Sequence, residues 1–396
     1  MFKITPLENG LENVEGFYFG GVNSGFKKDA NDLGFIRSDE PVDVSAKFTS
    51  NKFKAAPIRH FLKYPQNFKT NFILLNSKNA NAMTGEAGVE DINFLFKELE
   101  KNVKFSLVDP IMSSTGVIGY RLDTAKIAAA FSKFDFSSRD SDAVVSAIMT
   151  TDSFKKQVAY EVTLEDGSKF SVAAICKGAG MINPCLATML CFILTDANIP
   201  KADMDELLGI ACEKSFNAVS VDGDTSTNDT VMLLTSRKSD AYDKAAFANI
   251  LNLISNAIRL TLVRYGEGAS EEWEFEVKGA LDAQQAMRAA KALSNSLLVK
   301  TAIFGEDPNW GRIASTIGAS GVECDEEKLV IYYDDVLVYD AAHKELDNIR
   351  EQAAHAVMQK PSYKISCDLG IAKAKFSAYG CDLGHKYVSI NADYRS

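Results

Sequence analysis

The sequence predicts an α+β fold, because two β-hairpins and two amphipathic helices can be recognised in it. Asp166 and Gly167 separate strand-forming stretches at 157–164 and 168–175, which is typical of a tight hairpin turn. Asp334 and Asp335 separate two further stretches, 329–333 and 336–339, in the same way. Apolar residues recur at helical spacing over 247–258 and over 283–297. Since these elements do not form regular strand–helix–strand repeats, we expect layered α+β packing.

Composition describes a globular chain and excludes some classes of partner. The 396 residues are 46% hydrophobic and 24% charged, which is enough for a sizeable core. The formal net charge of −10 argues against nucleic acid and against an anionic membrane surface as partners. We therefore expect small-molecule substrates, which a local basic group can still bind if they are anionic.

Cysteine and histidine usage predicts reduced thiols and no metal site. The seven cysteines are an odd number without a CxxC pair, and the four histidines have no ligand spacing. No continuous apolar run approaches the roughly 18 residues of a membrane span. The first residues also lack the pattern of a signal peptide. We expect a cytoplasmic protein without a cofactor or metal.

The segment 178–188 is the most informative for chemistry. Small residues and a proline lead to Ala187 and Thr188, and an apolar stretch follows at 189–194. A threonine hydroxyl is a weak nucleophile unless a base lies beside it. If the chain is cut before Thr188, its freed α-amine, with a pKa of about 8, becomes that base. The alternative is that Thr188 caps a helix formed by the apolar stretch.

Several ordered motifs resemble the glutamate N-acetyltransferase family, also called ornithine acetyltransferases, which are enzymes of arginine biosynthesis. The resemblance covers nearly the full chain. The matching segments are 51–57, 113–119, 149–152, 177–190, 221–229, 266–269, 299–305, 307–312 and 390–396.

The resemblance implies a fold and a processing event. Family members have a layered α/β sandwich of the ornithine acetyltransferase and self-processing aminopeptidase type, with a C-terminal lobe. They cut themselves at the position that matches Ala187–Thr188. Residues 1–187 would then be an alpha chain, and residues 188–396 a beta chain of the same folded unit.

The resemblance also implies a reaction. The Thr188 hydroxyl takes an acetyl group from N2-acetyl-L-ornithine, and L-glutamate then accepts it in a ping-pong scheme. Acetyl-CoA remains open as a second donor. The family's assembly implies a dimer of cleaved alpha/beta pairs.

The resemblance assigns site residues, each with a plainer alternative. Thr115 and Gly116 match an oxyanion hole, whereas the residues alone are also typical of a polar turn. Lys177 and Glu267 match substrate contacts, but a solvated lysine and an exposed loop carboxylate are common. The remaining matched substrate contacts are Thr151, with Thr150 as the neighbouring choice, Thr188 itself, Asn391 and Ser396.

Two other function classes compete with acetyl transfer. One is hydrolysis by a self-processing amidohydrolase or aminopeptidase, in which water replaces glutamate as acceptor. The other is a binding protein that keeps the fold without the cut. The segment 221–229 is rich in Asp and Thr but lacks the pattern of a calcium loop, so we expect a structured turn near the site.

Overall fold

The computed structural model describes residues 1–183, 189–269 and 272–393. These residues divide into two compact units. The first unit comprises residues 1–178, 189–216 and 225–259, and the second comprises residues 179–183, 217–224 and the described residues from 260 onward.

Strands and helices alternate irregularly along the chain. The strands are β1 (Phe2–Pro6), β2 (Phe17–Val22), β3 (Leu33–Phe48), β4 (Lys69–Asn76), β5 (Ile111–Ser114), β6 (Lys156–Leu164), β7 (Lys169–Lys177), β8 (Leu190–Thr195), β9 (Val219–Ser220), β10 (Thr230–Thr235), β11 (Glu272–Ala280), β12 (Val330–Tyr333), β13 (Val336–Tyr339), β14 (Ser362–Asp368) and β15 (Ala374–Cys381). The helices are α1 (Ala56–Phe61), α2 (Gly85–Glu100), α3 (Thr124–Ala130), α4 (Ser141–Ile148), α5 (Lys201–Lys214), α6 (Lys244–Arg264), α7 (Ala283–Asn295), α8 (Leu297–Phe304), α9 (Trp310–Ala319), α10 (Asn348–Met358) and α11 (His385–Ala392).

The first unit is built on a mixed sheet with helices on both faces. Its strand order is β1-β6-β7-β8-β10-β3-β4-β5, and β2 pairs with β3. In β4, Ile73 and Leu75 pack in the core that includes α4. Phe72 and Leu74 point the other way, into the core that includes α1, α2 and α3. A strand buried on both faces is expected to be apolar where both cores cover it, as β4 is over residues 72–75.

The second unit has a smaller sheet with one apolar face. Its order is β13-β12-β14-β11-β15-β9. Strand β11 alternates strictly, so that Trp273, Phe275 and Val277 are buried with apolar side chains of α7, α9 and α10. This two-residue period is what a sheet covered on one side requires.

The α+β class predicted from the sequence is confirmed, with the second unit as the C-terminal lobe. Both predicted hairpins are present, as β6–β7 and β12–β13. The helix predicted over 247–258 lies within α6.

The helix predicted over 283–297 is wrong at its C-terminal end. Helix α7 ends at Asn295, and Ser296 adopts an extended conformation. The Ser296 hydroxyl accepts the Val299 N–H and so caps a second helix, α8. A serine at this position competes with helix continuation, and apolar periodicity does not register that effect.

The expectation that no stretch approaches a membrane span does not hold for α6. Among the described helices, α6 is the one long and apolar enough by composition alone. More than half of its apolar window is buried inside the protein, as in a core helix. Polar residues within α6 interrupt its apolar stretch, so the sequence contains no continuous apolar run of that length.

Candidate active site

In the first unit, one end of the sheet gathers several residues singled out by sequence. Lys177 ends β7 and pairs in register with Leu190, the first residue of β8. Leu190 also pairs with Thr230, the first residue of β10. The apolar stretch after Thr188 is therefore a strand, and the helix-cap alternative for Thr188 is wrong. Ala187 and Thr188 themselves lie outside the described residues.

Lys177 is a buried cation in contact with Thr115. Its side chain is only 3% exposed, so the solvated-lysine alternative is wrong. Its Nζ donates to Thr115 Oγ1 at 3.3 Å. Because this oxygen accepts from an ammonium, the Thr115 hydroxyl proton is left to point elsewhere and can donate to an oxyanion.

Asp152 supplies the negative charge that a buried lysine needs. Its side chain is fully buried, and its Oδ1 accepts from Lys156 Nζ at 2.7 Å and from the Gly178 N–H at 2.8 Å. Burial alone would raise the pKa of this carboxyl, but the charges of Lys177 and Lys156 and these hydrogen bonds lower it to about 2. Asp152 is therefore ionised at neutral pH.

Gly116 occupies a position that only glycine can fill. Its φ is +135°, and a Cβ would overlap the backbone of Lys78 and Asn79. No acceptor among the described residues takes its backbone N–H. Ser113 and Ser114 belong to β5, so the polar-turn alternative is wrong for them. The strand end thus presents a hydroxyl and an N–H from consecutive residues.

The structure does not choose between Thr150 and Thr151. Both are half-buried, and the Thr150 N–H donates to Asp152 Oδ2 at 3.2 Å. Thr151 remains the expected substrate contact.

In the second unit, Glu267 is buried beside the segment that leads to residue 183. Its exposure is 6%, so the exposed-loop alternative is wrong. Its N–H donates to Ala179 O at 2.8 Å. A Cβ on Gly180 would overlap the Glu267 carboxylate, which explains the glycine in this motif.

Asn391 contacts Glu267 within the second unit. Its Nδ2 donates to Glu267 Oε2 at 2.7 Å, and the residue lies near the end of α11. The sequence prediction names both residues as substrate contacts, and the structure brings them together. Ser396 lies outside the described residues.

Sequence reasoning missed several buried polar groups. Asp152 lies in a recognised motif that assigns it no role, and no sequence pattern points to Lys156. For Asp222, Asn228 and Asp229 the sequence predicts only a turn. In the described ranges, no group of histidine, cysteine and acidic side chains is arranged to hold a metal ion.

Comparison with known proteins gives a consistent result. The profile of the ArgJ family matches residues 18–396. A protein of Wolinella succinogenes named "Arginine biosynthesis bifunctional protein ArgJ" is 52% identical over 397 residues, covering 100% of both chains. A protein of the same name from Oceanobacillus iheyensis is 36% identical, covering 100% of this chain and 98% of its own. A crystal structure of the Bacillus halodurans protein of that name is 37% identical, with a TM-score of 0.47, covering 51% of this chain and 97% of that one.

Proposed function

This chain belongs to the ArgJ family of arginine-biosynthesis acetyltransferases, and we propose that it transfers an acetyl group from N2-acetyl-L-ornithine to L-glutamate. The observation that carries the proposal is the pair Thr115 and Gly116 beside a buried Lys177, in a chain with full-length relatives of that family. These residues supply the donors that acyl transfer needs.

The first step of the proposal is self-cleavage. The Thr188 hydroxyl attacks the Ala187 carbonyl, the amide becomes an ester, and water hydrolyses that ester. The cut leaves a carboxylate on Ala187 and a free α-amine on Thr188. That amine is then the base for later proton transfers.

In turnover, the Thr188 hydroxyl attacks the acetyl carbonyl of acetylornithine while its amine takes the proton. The Thr115 hydroxyl and the Gly116 N–H stabilise the tetrahedral oxyanion. The intermediate collapses to acetyl-Thr188, and the proton leaves with ornithine. The amine of glutamate then attacks the ester through a second oxyanion, giving N-acetylglutamate and free Thr188.

Substrate recognition is proposed for the charged residues. Lys177 would pair with a substrate carboxylate, because a buried ammonium binds a carboxylate strongly. Glu267 would take the side-chain ammonium of ornithine, with Asn391, Thr151 and Ser396 as polar contacts. We also propose that the protein is cytoplasmic and forms a dimer of cleaved alpha/beta pairs. Acetyl-CoA is proposed as an additional acetyl donor.

The first experiment is intact mass under denaturing conditions for wild type and Thr188→Ala. We expect two fragments that meet at Ala187–Thr188 in wild type and one uncut chain in the variant. An uncut, well-folded wild type would remove the base and overturn the mechanism.

The second experiment compares loss of acetylornithine with formation of acetylglutamate. Equal rates are expected for transfer. Loss of acetylornithine without acetylglutamate would instead favour hydrolysis.

A further inference from the structure

Two parts of the segment 221–229, one in each unit, bind backbone that precedes and follows the proposed cut in sequence. We propose that Asp222 and Asp229 are positioning residues, which fix the chain before and after residues 184–188 for self-cleavage. Asp229 would also fix Met189, the residue after the proposed nucleophile, during acetyl transfer. This inference rests on the proposed function.

Asp222 fixes the residues that precede the cleavage segment, within the second unit. Its Oδ2 accepts the Met181 N–H at 2.6 Å, and its Oδ1 accepts the Ile182 N–H at 2.9 Å. The Val221 N–H donates to Ile182 O at 2.8 Å, and Asn183 Nδ2 donates to Gly223 O at 2.6 Å. Three successive residues are therefore tied to one turn.

Met181 needs this support because its backbone is strained. Its φ is +56°, a region that residues with a Cβ rarely adopt. Such a conformation persists only where the surroundings enforce it, and it is typical of functional sites.

Asp229 fixes the residue that follows Thr188, within the first unit. Its side chain is fully buried, and its Oδ1 accepts the Met189 N–H at 3.2 Å. The Thr230 N–H donates to Met189 O at 3.0 Å. Both backbone polar groups of Met189 are thus held.

Asn228, between these carboxylates in sequence, fixes the proposed oxyanion residues. Its Nδ2 donates to Ser114 O at 2.8 Å and to Ala80 O at 2.6 Å. Ser114 directly precedes Thr115, so this contact locates the strand end that carries the two donors. The same segment therefore supports the nucleophile's neighbour and the oxyanion hole.

The two carboxylates differ in what their oxygens must do. Both oxygens of Asp222 accept N–H groups, so an amide nitrogen in place of one oxygen would face a donor. Asp229 accepts one N–H, through Oδ1, and its other hydrogen-bond partners are the Thr49 and Ser226 hydroxyls, which can accept as well as donate. Burial also raises the pKa of Asp229 well above its ordinary value, which favours the neutral acid.

Substitution by asparagine is therefore expected to have different effects on cleavage at the two positions. In Asp229→Asn the carbonyl can still accept the Met189 N–H, whereas Asp222→Asn loses an acceptor. Asp229→Ala removes the acceptor completely. Asp224→Asn is the matched control, because the Asp224 side chain is exposed in the same segment.

The experiment follows precursor cleavage in the full chain by denaturing intact mass, with thermal unfolding as the check on folding. We expect wild-type cleavage for Asp229→Asn and Asp224→Asn. We expect cleavage about tenfold slower or more for both Asp222→Asn and Asp229→Ala. The first variant loses an acceptor for a backbone N–H, and the second loses a buried hydrogen bond. In cleaved Asp229→Ala, kcat should fall while KM for acetylornithine is retained.

The outcomes are distinguishable. Wild-type cleavage in Asp222→Asn, or equally slow cleavage in Asp229→Asn and Asp229→Ala, would overturn the inference. If Asp229→Ala does not fold, the two isosteric asparagine variants still decide it. An uncut wild type would overturn the proposed function instead.

Discussion

Lys177 and Asp152 illustrate how single residues prepare the first unit for charge chemistry. A buried ammonium is costly unless an opposite charge and hydrogen bonds accompany it. Here Asp152 carries the opposite charge, Lys156 pairs with it at 2.7 Å, and Lys177 reaches Thr115. Two lysines around one ionised carboxylate leave a net positive charge in a buried place. That charge suits an anionic substrate group.

Replacement of Gly116 is expected to affect both stability and acetyl transfer. Gly116→Ala should lower the free energy of unfolding by about 2 kcal/mol or more, because the new Cβ meets the backbone of Lys78 and Asn79. Acetyl transfer should fall strongly even where the protein remains folded, since the N–H donor is displaced. Chemical denaturation and the transfer assay measure the two effects.

Gly119→Ala is the matched control for Gly116. Gly119 also has a positive φ, +94°, but a Cβ there would meet nothing within 4 Å. It should cost only about 1 kcal/mol of backbone strain. Equal losses at both positions would contradict the steric explanation for Gly116.

Among the elements, α11 depends on side-chain hydrogen bonds more than on burial. None of its described residues is buried. Two side chains bind it to the rest of the second unit. The Tyr387 hydroxyl donates to Asp222 at 3.2 Å, and Asn391 donates to Glu267. A helix with so little apolar anchoring is expected to open locally.

Asn391→Ala should therefore loosen α11. We expect amide hydrogen exchange in residues 385–392 to be faster by several-fold, with exchange in β11 unchanged. Ser389→Ala is the control, because among the described residues the Ser389 hydroxyl donates within the helix, to His385 O. Unchanged exchange in Asn391→Ala would show that the Glu267 contact does not anchor the helix.

In the whole molecule, two buried carboxyls whose pKa values shift in opposite directions make the free energy of unfolding depend on pH. The pKa of Asp152 is lowered to about 2. Its contribution to the free energy of unfolding is therefore full above the pKa that this carboxyl has in the unfolded chain, and is lost as the pH falls toward 2. Burial raises the pKa of Asp196 to about 6. The contribution of Asp196 to the free energy of unfolding is therefore full below pH 4 and is lost as the pH rises through 6.

Asp196→Asn tests this linkage. The variant has no proton to lose, and its carbonyl can still accept the Ser171 N–H that Asp196 accepts at 2.7 Å. Between pH 4 and 7 the wild type should lose on the order of 3 kcal/mol that the variant does not lose. Denaturation at both pH values measures the difference, with exposed Asp29→Asn as control. Parallel pH profiles for wild type and Asp196→Asn would contradict the assignment.

The fold class, the two hairpins and the family could be predicted from the amino-acid sequence. Hairpin turns and helical spacing are local properties, so Asp166–Gly167 and the period over 247–258 could be interpreted without coordinates. Ordered motifs along the chain identified the family and with it Thr115, Gly116, Lys177 and Glu267. Local patterns failed at Ser296, where a cap interrupts an apolar period.

Which polar residues are buried, and which groups they bind, depends on the tertiary structure. Lys177 and Glu267 look like surface residues in sequence, and Asp152 and Asp229 look like ordinary loop carboxylates. Their burial and partners come from residues distant in the chain, such as Thr115 with Lys177 and Met189 with Asp229. A side chain's charge state and hydrogen bonds depend on this non-local environment, which no local pattern encodes.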